Sequence, residues 1–294
     1  MAVLSNFERH YINASQVQVW ARTYDVPLLK WKLPLQGKWP AAHDADTIDE
    51  LYKNELCLWG FFARGAPAIL TGNVQPTKLL ANGSMGFMHS LTLAEEAQEE
   101  NAFEHVCGYT EIELSVAPHA INFQLSLPDG DDGEGIESLT SDAVVVPITL
   151  DDRSTATCDT TSLHALINNV PKTITVRTHM ITLGFALTDY KLQGKTLKYL
   201  ILNLTKYSWP PHMDLKGLYV LLSRVKKFGH LRLLNGVSKD RSELSYLLNL
   251  RHRAELAIWS EGYDDSGRWS PIQVEMAAKR VLRRFGKAGK KAEK

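Results

Sequence analysis

The chain has 294 residues, 44% apolar and 22% charged, with 33 basic and 33 acidic side chains. That composition belongs to a globular protein with enough apolar material for a core, in one large domain or two smaller ones. No apolar run approaches the ~18 residues of a membrane span, and the opening MAVLSNFERHYINAS lacks the charged flank and apolar stretch of a secretory signal, so a nuclear or cytoplasmic protein with no membrane partner is expected.

In chain order, HYIN reads as the end of a strand that enters a helix, where Val17, Trp20, Ala21 and Tyr24 recur at helical spacing. Residues 28–33 (LLKWKL) read as a short strand, and residues 38–46 (KWPAAHDAD) as a loop rich in Pro and Asp. Residues 66–72 (APAILTG) have the apolar character of a buried strand. Asn82-Gly83, followed by Gly86, marks a tight turn between two strands. Residues 92–105 are dominated by carboxylates and helix formers, as in a surface helix or an excursion.

Apolar and polar residues alternate over 109–127 and 143–150, which predicts short strands. Loops are expected at 128–137 (PDGDDGEGIE) and 151–159. TITVR at 173–177 is a strand. YLILNL at 199–204 is a continuous apolar run, of the kind found in a parallel strand covered on both faces. LYVLL at 218–222 opens another apolar segment, and LRLL at 231–234 reads as a strand. From Ser270 a helix runs into a Lys/Gly/Ala tail. Strands alternating with helical patterns imply an α/β layer with a parallel sheet.

Charge is distributed unevenly. Residues 89–165 hold sixteen carboxylates against a single Arg153, whereas residues 166–294 hold 24 Lys/Arg against ten Asp/Glu. The basic half can follow a phosphate backbone; both halves can equally be solvated surface. Cys57, Cys107 and Cys158 are far apart and odd in number, as in reduced thiols of a cytosolic or nuclear protein.

Two strings carry the chemistry: FALTDYKLQGKTL at 185–197 and LYVLLSRVKKFGHLRLL at 218–234. In this order they resemble two signatures of superfamily-one DNA helicases of the Pif/RecD-like type, approximately A-x-T-[IV]-H-K-[SA]-Q-G-x-T-[LF] and Y-V-[AG]-[LI]-S-R. Ala186, Thr188, Lys191, Gln193, Gly194 and Thr196 match the first, and Tyr219, Val220, Ser223 and Arg224 the second. Residues 65–86 (GAPAILTGNVQPTKLLANGSMG) resemble the family segment that precedes an inserted β-subdomain. VVVPITL and ITVRTHMITL resemble the segment that leaves it. INASQVQVWA is similar to the asparagine-bearing segment that opens the second motor domain. The resemblance spans about residues 10–235, with gaps.

It implies an α/β fold: a RecA-like parallel-sheet domain, the second motor domain of a helicase, with an inserted small antiparallel β-subdomain. The expected parts are residues 1–87 (first part of that domain), 88–172 (β-rich insert with acidic loops), 173–236 (its return, with both signatures) and 237–294 (helical extension and basic tail). In such motors ATP sits between two RecA-like domains, and an arginine of the second stabilises charge on the γ-phosphate. By resemblance that arginine is Arg224, whose planar fork suits phosphate oxygens. Taken alone, an Arg here can also cap a helix or pair with a surface acid. The resemblance assigns nucleotide contacts to Gln193, Gly194 and Arg224, and DNA contacts to Thr188, Tyr190, Lys191 and Asn82. Tyr190 stands where the family has His, and Leu192 where it has a small residue.

Gly194-Lys195-Thr196 is not a phosphate-binding loop. The pattern G-x-x-x-x-G-K-[ST] requires a Gly where this chain has Asp189. No other G-K-[ST] occurs, and no apolar strand ends in Asp-Glu to hold Mg²⁺. ATP and Mg²⁺ are therefore expected only in a complete motor, with neither held tightly by this chain alone. The expected partners are single-stranded DNA and an N-terminal RecA-like motor domain, in cis or in trans. Three readings stay open: part of a 5′-to-3′ helicase, a split motor subunit, or a degenerate, transposon-derived nucleic-acid-binding or interaction module without ATPase activity. The basic tail (Lys279, Arg280, Arg283, Arg284, Lys287, Lys290, Lys291, Lys294) suits nucleic acid, a nuclear address or a solvated end. No His spacing suggests zinc.

Overall fold

In a computed structural model, the structure describes residues 1–38, 43–93, 107–127, 133, 135–151, 154–160, 172–204, 213–234, 241–251, 254–264 and 266–292. The backbone alone is described at 78, 159, 241–243, 254, 257 and 282–292. The acidic stretch at 92–105 and the loops at 38–46, 128–137 and 151–159 lie partly outside these residues. The chain divides into two compact units, Met1–Lys191 and Leu192–Lys294.

The first unit opens with β1 (Ala2–Val3) and α1 (Asn6–Thr23). The helix starts where Ser5 accepts a hydrogen bond from the Glu8 amide at 3.1 Å, satisfying one of the orphan donors of the first turn. HYIN, expected to end a strand, lies inside α1. The serine cap sets the start upstream, and the buried stripe Asn13, Ala14, Val17 and Ala21 extends through it.

Next come β2 (Leu28–Lys32), β3 (Leu35–Gln36), α2 (Ala45–Asn54, capped by Asp44), β4 (Trp59–Ala63) and β5 (Pro67–Leu70). They are followed by β6 (Met85–Thr92), β7 (Glu111–Leu114), β8 (Ala120–Leu125) and β9 (Val145–Thr149). The unit closes with β10 (Thr155–Asp159), β11 (Thr173–Arg177), β12 (Ile181–Leu183), β13 (Leu187–Thr188) and the single turn α3 (Asp189–Leu192), which ends across the unit boundary.

A five-stranded antiparallel sheet has the order β12-β5-β6-β8-β9. Three-stranded sheets have the orders β10-β11-β3 and β4-β2-β7, and β2 runs parallel to β7. β1 pairs in parallel with β13, Val3 opposite Thr188. The fold is thus α/β, with parallel strands beside antiparallel sheets. Strands from residues 88–172 pair with one another and with strands on either side of that segment: β6 with β5, β7 with β2, β10 with β11. TATCD was expected within a loop. It forms β10 because its five residues ladder against β11 from Thr155–Arg177 to Asp159–Thr173, which overrides weak local propensity.

One core runs through this unit, with Val17, Trp31, Leu58, Leu70, Phe123 and Val176 among its buried members. Cys57 and Cys158, 101 residues apart, meet in it: the Cys158 thiol lies 3.2 Å from the Cys57 carbonyl. Both are free and buried.

In the second unit, β14 (Leu200–Leu202) pairs in parallel with β15 (Leu231–Leu233). Leu200 and Leu202 are buried while Ile201 is exposed, so this strand, expected to be covered on both faces, has one face buried and one exposed. The apolar LYVLL segment is helical, in α4 (Leu215–Leu222), whose cap Asp214 accepts from the Gly217 amide at 2.6 Å. α5 (Ala254–Ser260) and α6 (Pro271–Ala292) follow. The side chains of the tail beyond Val281 lie outside the described residues. Among the described residues no helix is long and apolar enough to cross a membrane, and no group of three or more His, Cys, Asp or Glu is placed to hold a metal.

Candidate nucleic-acid and phosphate interface

In the first unit, β5 lies between β6 and β12. This puts the 65–86 segment beside the entry to the first signature, with Leu70 opposite Ile181 and Ala68 opposite Leu183. The loop after β5 turns back at Gly83, whose φ of +98° is a region that glycine enters without a Cβ clash. The Gly83 amide donates to Leu70 O at 2.8 Å. The Asn82 amide donates to the Asn73 side chain at 2.9 Å, which leaves the Asn82 side chain to point elsewhere. It accepts a hydrogen bond from the Lys191 ammonium.

Two of the four residues assigned to DNA, 109 positions apart, thus touch. Asn82 lies on an exposed turn, and the half-buried Lys191 lies in α3. Thr188 is half-buried in β13, one residue before α3. Tyr190 projects from α3 with 77% of its surface exposed. A phenol ring in that setting offers a face to a nucleobase and a hydroxyl to a phosphate.

The segment is anchored from beneath by Asn13. Its side-chain oxygen accepts from the Ala186 amide at 2.8 Å, and its amide nitrogen donates to Leu183 O at 3.0 Å and Ala186 O at 3.2 Å. A buried amide with these bonds fixes the backbone that leads into β13. The sequence signal for this residue is a polar side chain on the apolar stripe of an amphipathic helix, at i with Val17 at i+4 and Ala21 at i+8. The sequence gives this residue no role beyond the resemblance of its segment.

In the second unit, Gln193 and Gly194 are exposed, and Gly194 has φ +78° with open space where a Cβ would stand. The Lys195 amide closes the turn on Leu192 O at 3.1 Å. Leu197 bridges Val225 in parallel, and its amide donates to Arg224 O at 2.7 Å. The unit therefore brings the two signatures together. Arg224 Nε donates to Val220 O at 2.7 Å, Nη1 to Lys195 O at 3.2 Å and Nη2 to Ser223 Oγ at 2.7 Å.

This guanidinium caps the C-terminal end of α4, where carbonyls carry the negative end of the helix dipole. Three of its five N–H groups are used, which leaves two for a phosphate oxygen. That fits an arginine presented to nucleotide, and it equally fills the capping role that an Arg at this position can take. Burial pulls the neighbouring Lys195 ammonium below its ordinary pKa. Leu192, where the family has a small residue, is buried.

Solved structures similar to this chain include those of Pif1 helicases. The Pif1 helicase of Candida albicans is 16% identical with a TM-score of 0.42, over 85% of this chain and 49% of that one. Bacteroides Pif1 bound to ssDNA is 14% identical with a TM-score of 0.45, over 92% and 46%. Bacteroides Pif1 in complex with ADP-AlF3 and ssDNA is 16% identical with a TM-score of 0.40, over 89% and 45%. The chain spans less than half the length of these proteins. At such identity the likeness concerns the backbone and assigns no residue a role. Neither a protein-family model nor a curated protein matches the chain.

Proposed function

We propose that this chain is the second RecA-like half of a Pif/RecD-like 5′-to-3′ DNA helicase. In this reading Asn82, Thr188, Tyr190 and Lys191 contact single-stranded DNA. Gln193, Gly194 and Arg224 face ATP and Mg²⁺ held mainly by a preceding RecA-like domain, in cis or in trans. The observation that carries the reading is the bond between Lys191 and Asn82: it joins two residues, 109 positions apart, that the family resemblance assigns to DNA. Arg224 lends support through its two N–H groups left over from capping α4. Bound ATP would supply the phosphoryl group, and Arg224 would hold charge that develops on it.

Two assays test this. An antibody to residues 271–294 should detect a native polypeptide much larger than 294 residues. The purified chain should hydrolyse no ATP by itself, and ATPase activity abolished by Arg224→Ala would overturn the division of labour. A second reading, a nucleic-acid-binding module without ATPase activity, is favoured by the exposure of Tyr190 where the family has His. It predicts a native chain of 294 residues whose DNA binding ignores nucleotide.

A further inference from the structure

A cavity of about 360 Å³ lies within the first unit. It is within the size range of small-molecule sites, roughly 300–1,000 Å³. Its walls are mainly apolar, with Trp59, Met88 and Met180 among them. Three of its lining residues carry a buried polar atom with no hydrogen-bond partner: Trp31 Nε1, Ser154 Oγ and Arg9 Nε. Trp31 is 1% exposed and Ser154 4%.

Two of these atoms can only donate, and the serine hydroxyl can donate as well. Buried donors of this kind are normally paired, so three beside one cavity call for an acceptor-rich occupant.

Charge points the same way. Arg9 and Lys191 both line the cavity, and no Asp or Glu does among the described residues. The polar partner of the Arg9 guanidinium is His10, whose Nε2 lies 2.9 Å from Nη2. An imidazole that accepts there is neutral. Burial, reinforced by the Arg9 charge, holds its pKa down to about 4. Arg9 therefore keeps its positive charge at neutral pH without an anion to balance it. A partly dehydrated cation in that position attracts one.

We propose that this cavity binds a small organic anion, with a phosphate or carboxylate head on Arg9, Trp31 Nε1 and Ser154 Oγ and an apolar or aromatic body against Trp59, Met88 and Met180. The volume limits it to about the size of a mononucleotide, too small to pass a strand. Of the DNA contacts proposed above, Lys191 lines this cavity, and Asn82, Thr188 and Tyr190 do not.

Isothermal titration of the purified chain tests it. The probes are adenosine monophosphate and benzoate, with adenosine and benzyl alcohol as their neutral counterparts. At least one anion should bind saturably, at least tenfold tighter than its neutral counterpart. Arg9→Gln should weaken it about tenfold or more, and Ser154→Ala, a small change that spares the fold, several-fold. Both variants should keep wild-type affinity for oligothymidylate. The proposal is overturned if neither anion gives saturable heat in the millimolar range, or if binding is unchanged in both variants. Competitive displacement of the bound anion by oligothymidylate would make the cavity part of the strand path and overturn it as well.

Discussion

The side chain of Asn13, in the middle of the first helix, accepts a hydrogen bond from the Ala186 amide at 2.8 Å across 173 residues of sequence. With the two bonds that Asn13 returns to Leu183 O and Ala186 O, it sets the path of the chain into Thr188, Tyr190 and Lys191. Asn13→Ala leaves three buried backbone groups unpaired. It should destabilise the first unit by about 2–4 kcal/mol, a fall of roughly 5–10 °C in melting temperature. Thermal denaturation followed by circular dichroism checks this, and a wild-type melting temperature would show that the bonds are dispensable.

Tyr190 is exposed on a one-turn helix, so replacing it should cost little stability and act on binding. If the ring stacks on a base, Tyr190→Ala should weaken oligothymidylate binding by about 1–3 kcal/mol, while Tyr190→Phe stays near wild type. A loss of equal size in both variants would assign the contact to the hydroxyl.

Arg224 has an observed capping bond and a proposed nucleotide contact to lose. In the isolated chain Arg224→Ala removes one bond that caps α4, at Val220 O, and two more to Lys195 O and Ser223 Oγ, and should cost about 1 kcal/mol of stability, with oligothymidylate affinity unchanged. In the complete motor the same substitution should lower DNA-stimulated ATP hydrolysis about 1,000-fold. Arg224→Lys should rescue little of it, because an ammonium cannot reproduce the fork. Unimpaired hydrolysis in the complete motor would restrict Arg224 to capping.

Acid should loosen the first unit. Burial holds the pKa of His179 down to about 4, against the pull of its bond to the Pro118 carbonyl, and that of His10 down to about 4 as well. Both groups are neutral when folded and take up a proton below about 6.5 when unfolded. Their contribution is complete above pH 6.5, declines as pH falls towards 4, and levels off below. The loss should be on the order of 2–3 kcal/mol for each group. Melting temperatures measured between pH 7.5 and 4.5 should therefore fall. His179→Gln, which keeps a donor for Pro118, should flatten the decline, and a profile the same as wild type would exclude His179 as its cause.

Much of the fold was legible because apolar runs bounded by turn residues mark strands whatever they pair with. APAILTG, TITVR and LRLL sit close to β5, β11 and β15 for that reason. α2 was not legible. Its sequence, ADTIDELYKN, follows a Pro- and Asp-rich stretch, and its start depends on Asp44 accepting from the Thr47 amide at 2.8 Å. TATCD becomes a strand only through its neighbour β11. At the site, the order of the two signatures named the residues, but pairing is a long-range property. Neither the contact of Asn82 with Lys191 nor the folding of Arg224 onto Val220 and Lys195 is written in local spacing. The cavity at Arg9 is invisible in sequence for the same reason, since its walls come from residues 9 to 191.

The most direct test is fluorescence anisotropy of labelled oligothymidylate with wild-type chain and with Lys191→Ala, across a range of salt concentrations. The account predicts salt-sensitive binding by the wild type. Lys191→Ala should bind several-fold more weakly, with a slope of log affinity on log salt shallower by about 0.7, as expected for one lost phosphate contact on a single strand. No binding by the wild type, or the same affinity and slope in both proteins, would contradict it.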